Sequence, residues 1–268
     1  MFIHNFAPVL IDLHIFQIRW YSLAYILGIL LGWFYAKKII KNLKTSSSFN
    51  YLQLKDFDDF IPYLIIGIIL GGRVGYILIY NFEYYTKNLH EIFYVWKGGM
   101  SFHGGLLGII ITAITFTKLR KISTFTYLDI IACVAPIVIF LGRISNFING
   151  ELYGKTTDLP WGVIFPNVDN FARHPSQIYE AILEGIILFV LINYFASKKK
   201  LLLKTGYVSG LFLIFYSIAR IIGENFREAD IQLGYFFNYF SMGVILSFIT
   251  FLVGCFIIFL IKKNEQNN

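Results

Sequence analysis

The stretch that decides the fold covers residues 130–154 and has the sequence IIACVAPIVIFLGRISNFINGELYG. Its first half is apolar and predicts part of a membrane span, whereas its second half places Arg143, Asn146 and Asn149 near the lipid boundary. An ionisable group at membrane depth costs about 3 kcal/mol on insertion scales, so it persists where it pairs, lines a wet cavity or binds something polar. The alternative is a capped helix end with a snorkelling arginine.

The composition places the chain among integral membrane proteins. Of its 268 residues, 57% are hydrophobic, 19% aromatic and 15% charged, whereas a soluble domain has about 25% charged residues. The mean hydropathy is +0.64. At about 20 residues per span plus loops, the length suffices for one bundle of about seven spans. The net charge of +7 belongs to residues that set membrane topology, so we expect no nucleic-acid partner.

Seven apolar runs predict an all-α integral membrane protein that forms a single domain over residues 1–268. Residues 1–19 are too polar to span and predict an amphipathic arm at the interface. The loop at residues 146–175 predicts a small external head. The predicted spans are 20–36, 57–80, 98–117, 126–142, 176–196, 206–223 and 238–261.

The basic residues predict the orientation of the bundle. With the N-terminus outside, fourteen lysines and arginines fall in inner segments and six in outer segments. Because positive charge is retained on the cytoplasmic side, we expect the N-terminus outside and the C-terminus in the cytoplasm. The polar clusters of the spans, with the exception of Asp129, then lie towards the outer leaflet.

A second charged stripe lies on the sixth predicted span. Tyr216, Arg220 and Glu224 are spaced four residues apart and share one helical face. Such a stripe needs a partner inside the bundle, and the simplest alternative to a ligand site is an internal Arg–Glu salt bridge that fixes packing.

Two further segments carry candidate site residues. His103 precedes Gly104 at the outer end of the third predicted span, where it is either a proton acceptor or a histidine that faces solvent. Residues 173–177 open the fifth span, and Pro175 suits a helix start. Gln177 and Glu180 are candidate cavity residues there.

Taken together, these segments predict a site for an anionic lipid head group. Arg143 and Arg220 come from separate spans at one depth, and arginine binds phosphate with two charge-assisted hydrogen bonds. A histidine such as His103 titrates near neutral pH and can accept a proton. A chamber with these groups that opens to the outer leaflet suits a phospholipid.

The sequence resembles the bacterial prolipoprotein diacylglyceryl transferases along nearly the whole chain, because its polar and glycine-rich segments occur in the same order as in that family. Residues 142–154 resemble the signature of that family. The other similar blocks are residues 19–21, 71–76, 98–105, 173–180, 216–224 and 226–228.

The resemblance implies that the diacylglyceryl group of phosphatidylglycerol moves to the thiol of the lipobox cysteine in a prolipoprotein signal peptide. A thioether forms and glycerol phosphate leaves. Since the substrate supplies the sulfur, neither Cys133 nor Cys255 is required as nucleophile. We expect no metal or other cofactor, a monomer, and a multi-pass location in the bacterial inner membrane with the active site towards the outer leaflet.

The resemblance also suggests roles for individual residues. Arg143 and Arg220 would hold the lipid phosphate, and Arg220 would stabilise the leaving group. His103 is the candidate base, with Glu151 and Glu224 as alternatives that orient it or act directly. The remaining candidates are the head-group contacts Tyr21, Asn146, Glu151 and Tyr216, the close-approach glycines Gly104 and Gly154, and Arg73, which is either structural or a second head-group contact.

Two other functional classes are compatible with buried arginines. A transporter or channel would show substrate flux and more symmetric halves. A non-catalytic scaffold would bind phosphatidylglycerol without releasing glycerol phosphate.

Overall fold

The computed structural model describes residues 1–12, 17–44, 53–95, 98–198, 200–229, 234–236 and 239–267. Part of the predicted arm, residues 13–16, and the predicted start of the last span at Asn238 lie outside the described residues.

Seven helices in the described part of the chain are long and apolar enough to cross a membrane, as predicted. The fifth contains two π-helical segments, Ala181–Ile187 and Tyr194–Lys198. We number the seven helices α1 (Trp20–Lys44), α2 (Leu54–Tyr80), α3 (Phe102–Arg120), α4 (Thr124–Asn149), α5 (Ser176–Lys198), α6 (Tyr207–Glu224) and α7 (Met242–Asn267).

Several helices begin or end at other residues than the predicted spans, and two of these differences have a cause in the backbone. Helix α3 begins at Phe102 rather than near Gly98, because Gly98 and Gly99 have positive φ angles of 85° and 77° that a right-handed helix does not adopt. Helix α4 continues beyond the predicted span end at Gly142 to Asn149, so its last turn includes the first residues of the segment assigned to the head, and Gly150, whose φ is 68°, ends the helix.

Short strands accompany the helices, which the prediction of an all-α fold did not include. Among the described residues they form one three-stranded and two two-stranded sheets. In the three-stranded sheet, the chain start pairs in parallel with the loop after α4, which pairs antiparallel with a later segment of the same loop. The strands are β1 (Phe2–Ile3), β2 (Val9–Asp12), β3 (Gln17–Arg19), β4 (Val163–Ile164), β5 (Ala172–Arg173), β6 (Tyr235–Phe236) and β7 (Phe240–Ser241).

The contacts divide the chain into two compact units, Met1–Ala36 with Ile131–Asn268, and Lys37–Ile130. In the second unit, α2 and α3 pack through glycines. A Cβ at Gly71 would collide with backbone atoms of Gly104 and Gly108, and one at Gly108 would collide with the Gly67 carbonyl. Small residues four apart let two membrane helices approach backbone to backbone.

The first unit is built around α6, the most buried of the seven helices, with 67% of its apolar window inside the protein. Helix α7 packs against α6, yet only 11% of its window is buried. Its outward face is apolar and includes Phe248, Leu252, Phe256 and Phe259. Such a face suits lipid, which solvates apolar side chains without cost.

Candidate functional site

Arg143 on the last turns of α4 contacts two carboxylates of α5. Its Nη1 atom lies 2.9 Å from Oε2 of Glu180. Its Nε and Nη2 atoms donate to Oε2 of Glu184 at 3.1 and 2.8 Å. The side chains of both glutamates are fully buried, whereas that of Arg143 is 12% exposed. The predicted need of this arginine for a partner is therefore met by two acidic residues of the next span.

Arg220 on α6 contacts the same two carboxylates. Its Nη1 atom lies 2.5 Å from Oε1 of Glu180 and 3.4 Å from Oε1 of Glu184. Its Nη2 atom pairs with Glu224 one turn later on α6. The internal salt bridge between Arg220 and Glu224, which was the alternative to a ligand site, is therefore present. It is part of a larger network.

Arg227 and Ser241 complete the network. Nη1 of Arg227 lies 3.8 Å from carboxylate oxygens of both Glu180 and Glu224. The hydroxyl of Ser241 donates to Oε2 of Glu224 at 2.6 Å. We refer to Arg143, Glu180, Glu184, Arg220, Glu224 and Arg227 as the Arg–Glu cluster.

The Arg–Glu cluster is suited to anion binding. Because a planar guanidinium matches a phosphate as well as it matches a carboxylate, an anionic ligand can exchange with Glu180 or Glu184 for the same donors. The groups are buried, so each ion pair is electrostatically stronger than it would be in water, and an unpaired partner would be costly.

Three predicted head-group residues lie in the same unit as the cluster. Tyr216 is 1% exposed and stacks on Phe212 with ring centroids 5.8 Å apart. Asn146, one turn after Arg143, is 5% exposed. Tyr21 is the second residue of α1, and its hydroxyl lies 3.2 Å from that of Tyr25.

The turn after α4 fixes Glu151 and Gly154. The side chain of Glu151 accepts a hydrogen bond of 2.5 Å from Asn149, and its backbone carbonyl accepts one of 2.6 Å from Gln177. A Cβ at Gly154 would collide with the carbonyls of His174 and Phe226. Gly154 thus allows its own backbone to lie close to the backbones of His174 and Phe226, which is a contact within the protein and not a contact with lipid.

The loop between α4 and α5 is held by Arg173. Its guanidinium donates to the carboxylate of Asp169 at 2.6 Å and to the Gly154 carbonyl at 3.0 Å, and it lies over the Tyr153 ring. The hydrogen bond from Arg173 keeps the pKa of Asp169 below its usual value.

His174 lies beside Arg173, with its ring packed against Phe226 and its Nδ1 atom 3.3 Å from the Tyr179 hydroxyl. Burial and the nearby Lys155 lower the pKa of His174. Helix α5 begins at Ser176 as expected, although the Ser176 hydroxyl does not cap the helix but donates to the Leu152 carbonyl at 2.9 Å.

Three predicted site residues belong to the unit Lys37–Ile130. His103 is the second residue of α3 and lies edge-on to the Phe102 ring, with centroids 5.5 Å apart. Gly104 packs against Gly71 and Gly75 of α2.

Arg73 is 3% exposed and donates to four backbone carbonyls of the loop before α3. These contacts, together with its position over the Tyr85 ring, favour the structural alternative for this arginine. The acceptors and distances are Ile92 at 2.9 Å, Gly98 at 2.6 Å, Gly99 at 3.2 Å and Glu91 at 2.7 Å.

The sequence reasoning missed Glu184 and did not single out Arg227 as a site residue. Both belong to the Arg–Glu cluster. The signal for Glu184 was present, because Glu180 and Glu184 are one helical turn apart inside an apolar span and the rule for buried charges applies to carboxylates as it does to arginines.

Comparison with known proteins gives a consistent family. Residues 8–260 match the family model described as prolipoprotein diacylglyceryl transferase. A phosphatidylglycerol–prolipoprotein diacylglyceryl transferase of Rickettsia felis is 50% identical over 254 residues, which cover 95% of this chain and 96% of that protein. Proteins of the same name from Rickettsia bellii and Rickettsia typhi are 49% and 50% identical, covering 97% and 96% of this chain and 96% and 98% of their own lengths. The chain therefore belongs to the prolipoprotein diacylglyceryl transferase family.

Proposed function

We propose that this protein transfers the diacylglyceryl group of phosphatidylglycerol to the lipobox cysteine of prolipoproteins. The sulfur of the substrate thiolate attacks the glycerol carbon that carries the phosphate. The carbon–oxygen bond breaks, a thioether forms, and glycerol phosphate leaves with the bonding electrons. Names of relatives that cover nearly the whole chain favour this transferase reaction over a transporter or a lipid-binding scaffold.

The observation that carries the proposal is the convergence of Arg143 and Arg220 on one carboxylate, that of Glu180. Two guanidinium groups from different helices are held at a separation that brackets a single anionic group. Phosphate would take that position, and the arginines would stabilise the negative charge that develops on the departing oxygen. Tyr216 and Asn146, which are buried in the same unit, and Tyr21 are proposed to line the head-group site.

His103 is the proposed base that accepts the thiol proton. A free thiol has a pKa near 8.5 and must lose its proton to attack. Glu224 is a weaker alternative, because its carboxylate already contacts Arg220 and Arg227 and accepts a hydrogen bond from Ser241. Glu151 remains an alternative that orients or replaces the histidine.

We assign different roles to three residues first grouped with the substrate contacts. Gly104 and Gly154 allow protein backbones to approach each other, and Arg73 holds the loop before α3. They support the site through the fold and are not proposed to touch lipid.

The protein is a multi-pass membrane protein, and we propose the inner membrane with the N-terminus outside. The excess of lysine and arginine in the inner segments supports this orientation. Pairing of β1 with β4 supports an even number of spans between the chain start and the loop after α4. The arm, the head and the catalytic site would then face the outer leaflet, in a single domain that acts as a monomer.

One assay tests the proposal. Purified protein is incubated with phosphatidylglycerol and a synthetic lipobox peptide, and the peptide is followed by mass spectrometry. We expect a mass increase of one diacylglyceryl group together with release of glycerol phosphate. A peptide in which serine replaces the lipobox cysteine is the control. Lipid binding without peptide modification under these conditions would contradict the transferase function.

A further inference from the structure

The Arg–Glu cluster is electrically balanced before lipid binds. Among the residues that the structure describes, its ion pairs join three arginines to three glutamates. The phosphodiester of phosphatidylglycerol carries one negative charge. Its arrival between Arg143 and Arg220 would leave one excess negative charge among buried groups, where an uncompensated charge is strongly disfavoured.

Two of the three carboxylates keep a cation when these arginines turn to phosphate. Glu180 retains Arg227, whose Nη1 atom lies 3.8 Å away. Glu224 retains the same arginine at 3.8 Å and also accepts the hydrogen bond from Ser241.

Glu184 is the carboxylate that loses its cations. Its ion pairs in the described part of the chain are with Arg143 at 2.8 Å and Arg220 at 3.4 Å, the two arginines that the ligand would engage. Two other titratable groups lie near it in the described part of the chain, Tyr216 on α6 and Glu180 one turn earlier on α5, and neither carries positive charge. Its side chain is fully buried, so water cannot replace the lost ion pairs.

We propose, on the basis of the proposed function, that phosphatidylglycerol binding is coupled to protonation of Glu184. The carboxylate takes one proton from water and becomes a neutral carboxylic acid while Arg143 and Arg220 hold the phosphate. The cluster with bound lipid is then again electrically balanced. When glycerol phosphate leaves, the arginines return to Glu184 and the proton is released.

The coupling is measured by titration calorimetry. The protein is placed in phosphatidylcholine nanodiscs and titrated with dioctanoyl phosphatidylglycerol in buffers with different ionisation enthalpies. We expect uptake of close to one proton per lipid bound, and a Kd that rises about tenfold per pH unit where the coupling is complete. Dioctanoylglycerol, which has no phosphate, should show no proton uptake. Binding of phosphatidylglycerol without proton uptake would overturn the coupling.

The variant Glu184→Gln identifies the acceptor. Since glutamine cannot take the proton and leaves the free cluster with one positive charge, we expect no proton uptake, a Kd independent of pH, and tighter lipid binding than wild type at pH 8. Glu265→Gln removes a carboxylate from an exposed pair with Lys204 and should keep wild-type uptake. Undiminished uptake in Glu184→Gln would exclude Glu184 as the acceptor.

Wild-type measurements separate this coupling from the reaction itself. If the Glu184→Gln protein does not insert, the wild-type protein still tests whether lipid binding is coupled to proton uptake. The coupling requires uptake with phosphatidylglycerol and no uptake with dioctanoylglycerol. Peptide modification without proton uptake overturns the coupling and leaves the transferase function intact. Proton uptake on lipid binding without peptide modification supports the coupling and contradicts the transferase function.

Discussion

Arg143 and Arg220 contact opposite oxygens of one carboxylate, that of Glu180, at 2.9 and 2.5 Å. They come from α4 and α6, and the glutamate comes from α5, so three spans meet at one buried ionic contact. The two arginines, which were expected on separate spans at one depth, thus meet at a protein carboxylate. Removing either arginine would leave a buried carboxylate short of a cation, which costs about 3–5 kcal/mol. Tests of the arginines must therefore separate catalysis from folding.

Arg143→Ala and Arg220→Ala should each abolish thioether formation while the protein remains inserted. Arg143→Lys and Arg220→Lys keep the positive charge but lose bidentate hydrogen bonding to the phosphate. We therefore expect turnover to fall by roughly a hundredfold or more. The peptide mass assay measures the loss, and gel filtration in detergent reports the fold. Arg120→Lys, in an exposed pair with Asp56 and Asp59, is the control. Wild-type turnover in Arg143→Ala or in Arg220→Ala would refute the phosphate-binding role of that arginine.

Gly108→Val should destabilise the packing of α2 against α3. The added side chain would meet the Gly67 carbonyl and the Gly71 backbone, which are not able to move aside as a flexible side chain does. We expect a loss of about 1–3 kcal/mol or more, seen as a lower thermal midpoint. Gly142→Ala on α4 is the control, because in the described part of the chain its Cβ position has no neighbour within 4 Å beyond the adjoining residues and backbone of its own helix. Equal midpoints for the two variants would contradict backbone contact at Gly108.

Arg73→Ala should loosen the loop between α2 and α3 without removing a ligand contact. Four backbone carbonyls lose a charged donor, and each hydrogen bond of this kind contributes about 1.5–3 kcal/mol. Hydrogen exchange of residues 88–95 should accelerate at least tenfold. The affinity of the protein for dioctanoyl phosphatidylglycerol should change less than threefold. A large loss of affinity with unchanged exchange would instead make Arg73 a head-group contact.

The loop between α4 and α5 should lose stability in mild acid through His174. Its pKa is lowered in the folded protein by burial and Lys155, so the folded state binds fewer protons than the unfolded state. The stabilisation is present above the ordinary histidine pKa of about 6.5 and is lost as the pH falls through the lower folded value. Proteolysis of residues 153–174 should speed up across that window in the wild type and less in His174→Gln. An identical pH response in both proteins would contradict this assignment.

Much of the helical architecture could be predicted from the sequence, because a membrane span needs only a continuous apolar run of the right length. The starts of α1 and α5 at Trp20 and Ser176 agree with prediction. The predicted start of α3 near Gly98 was wrong, because the predicted span included Gly98 and Gly99, which adopt left-handed backbone angles. The small strands escaped detection, since two-residue pairings such as that of β1 with β4 depend on distant partners such as Phe2 and Val163.

The sequence by itself determined that charged groups lie within the spans, and therefore that they must be paired or bound. Apolar surroundings penalise every bare ion, so Arg143 and Arg220 required partners whatever the packing. Only the tertiary structure decided which partners they have. Glu180 and Glu184 of α5 lie between them, and Arg227 joins from beyond α6. These pairings depend on how α4, α5 and α6 rotate about their axes, which is set by side-chain packing among all three helices and not by any local stretch of residues.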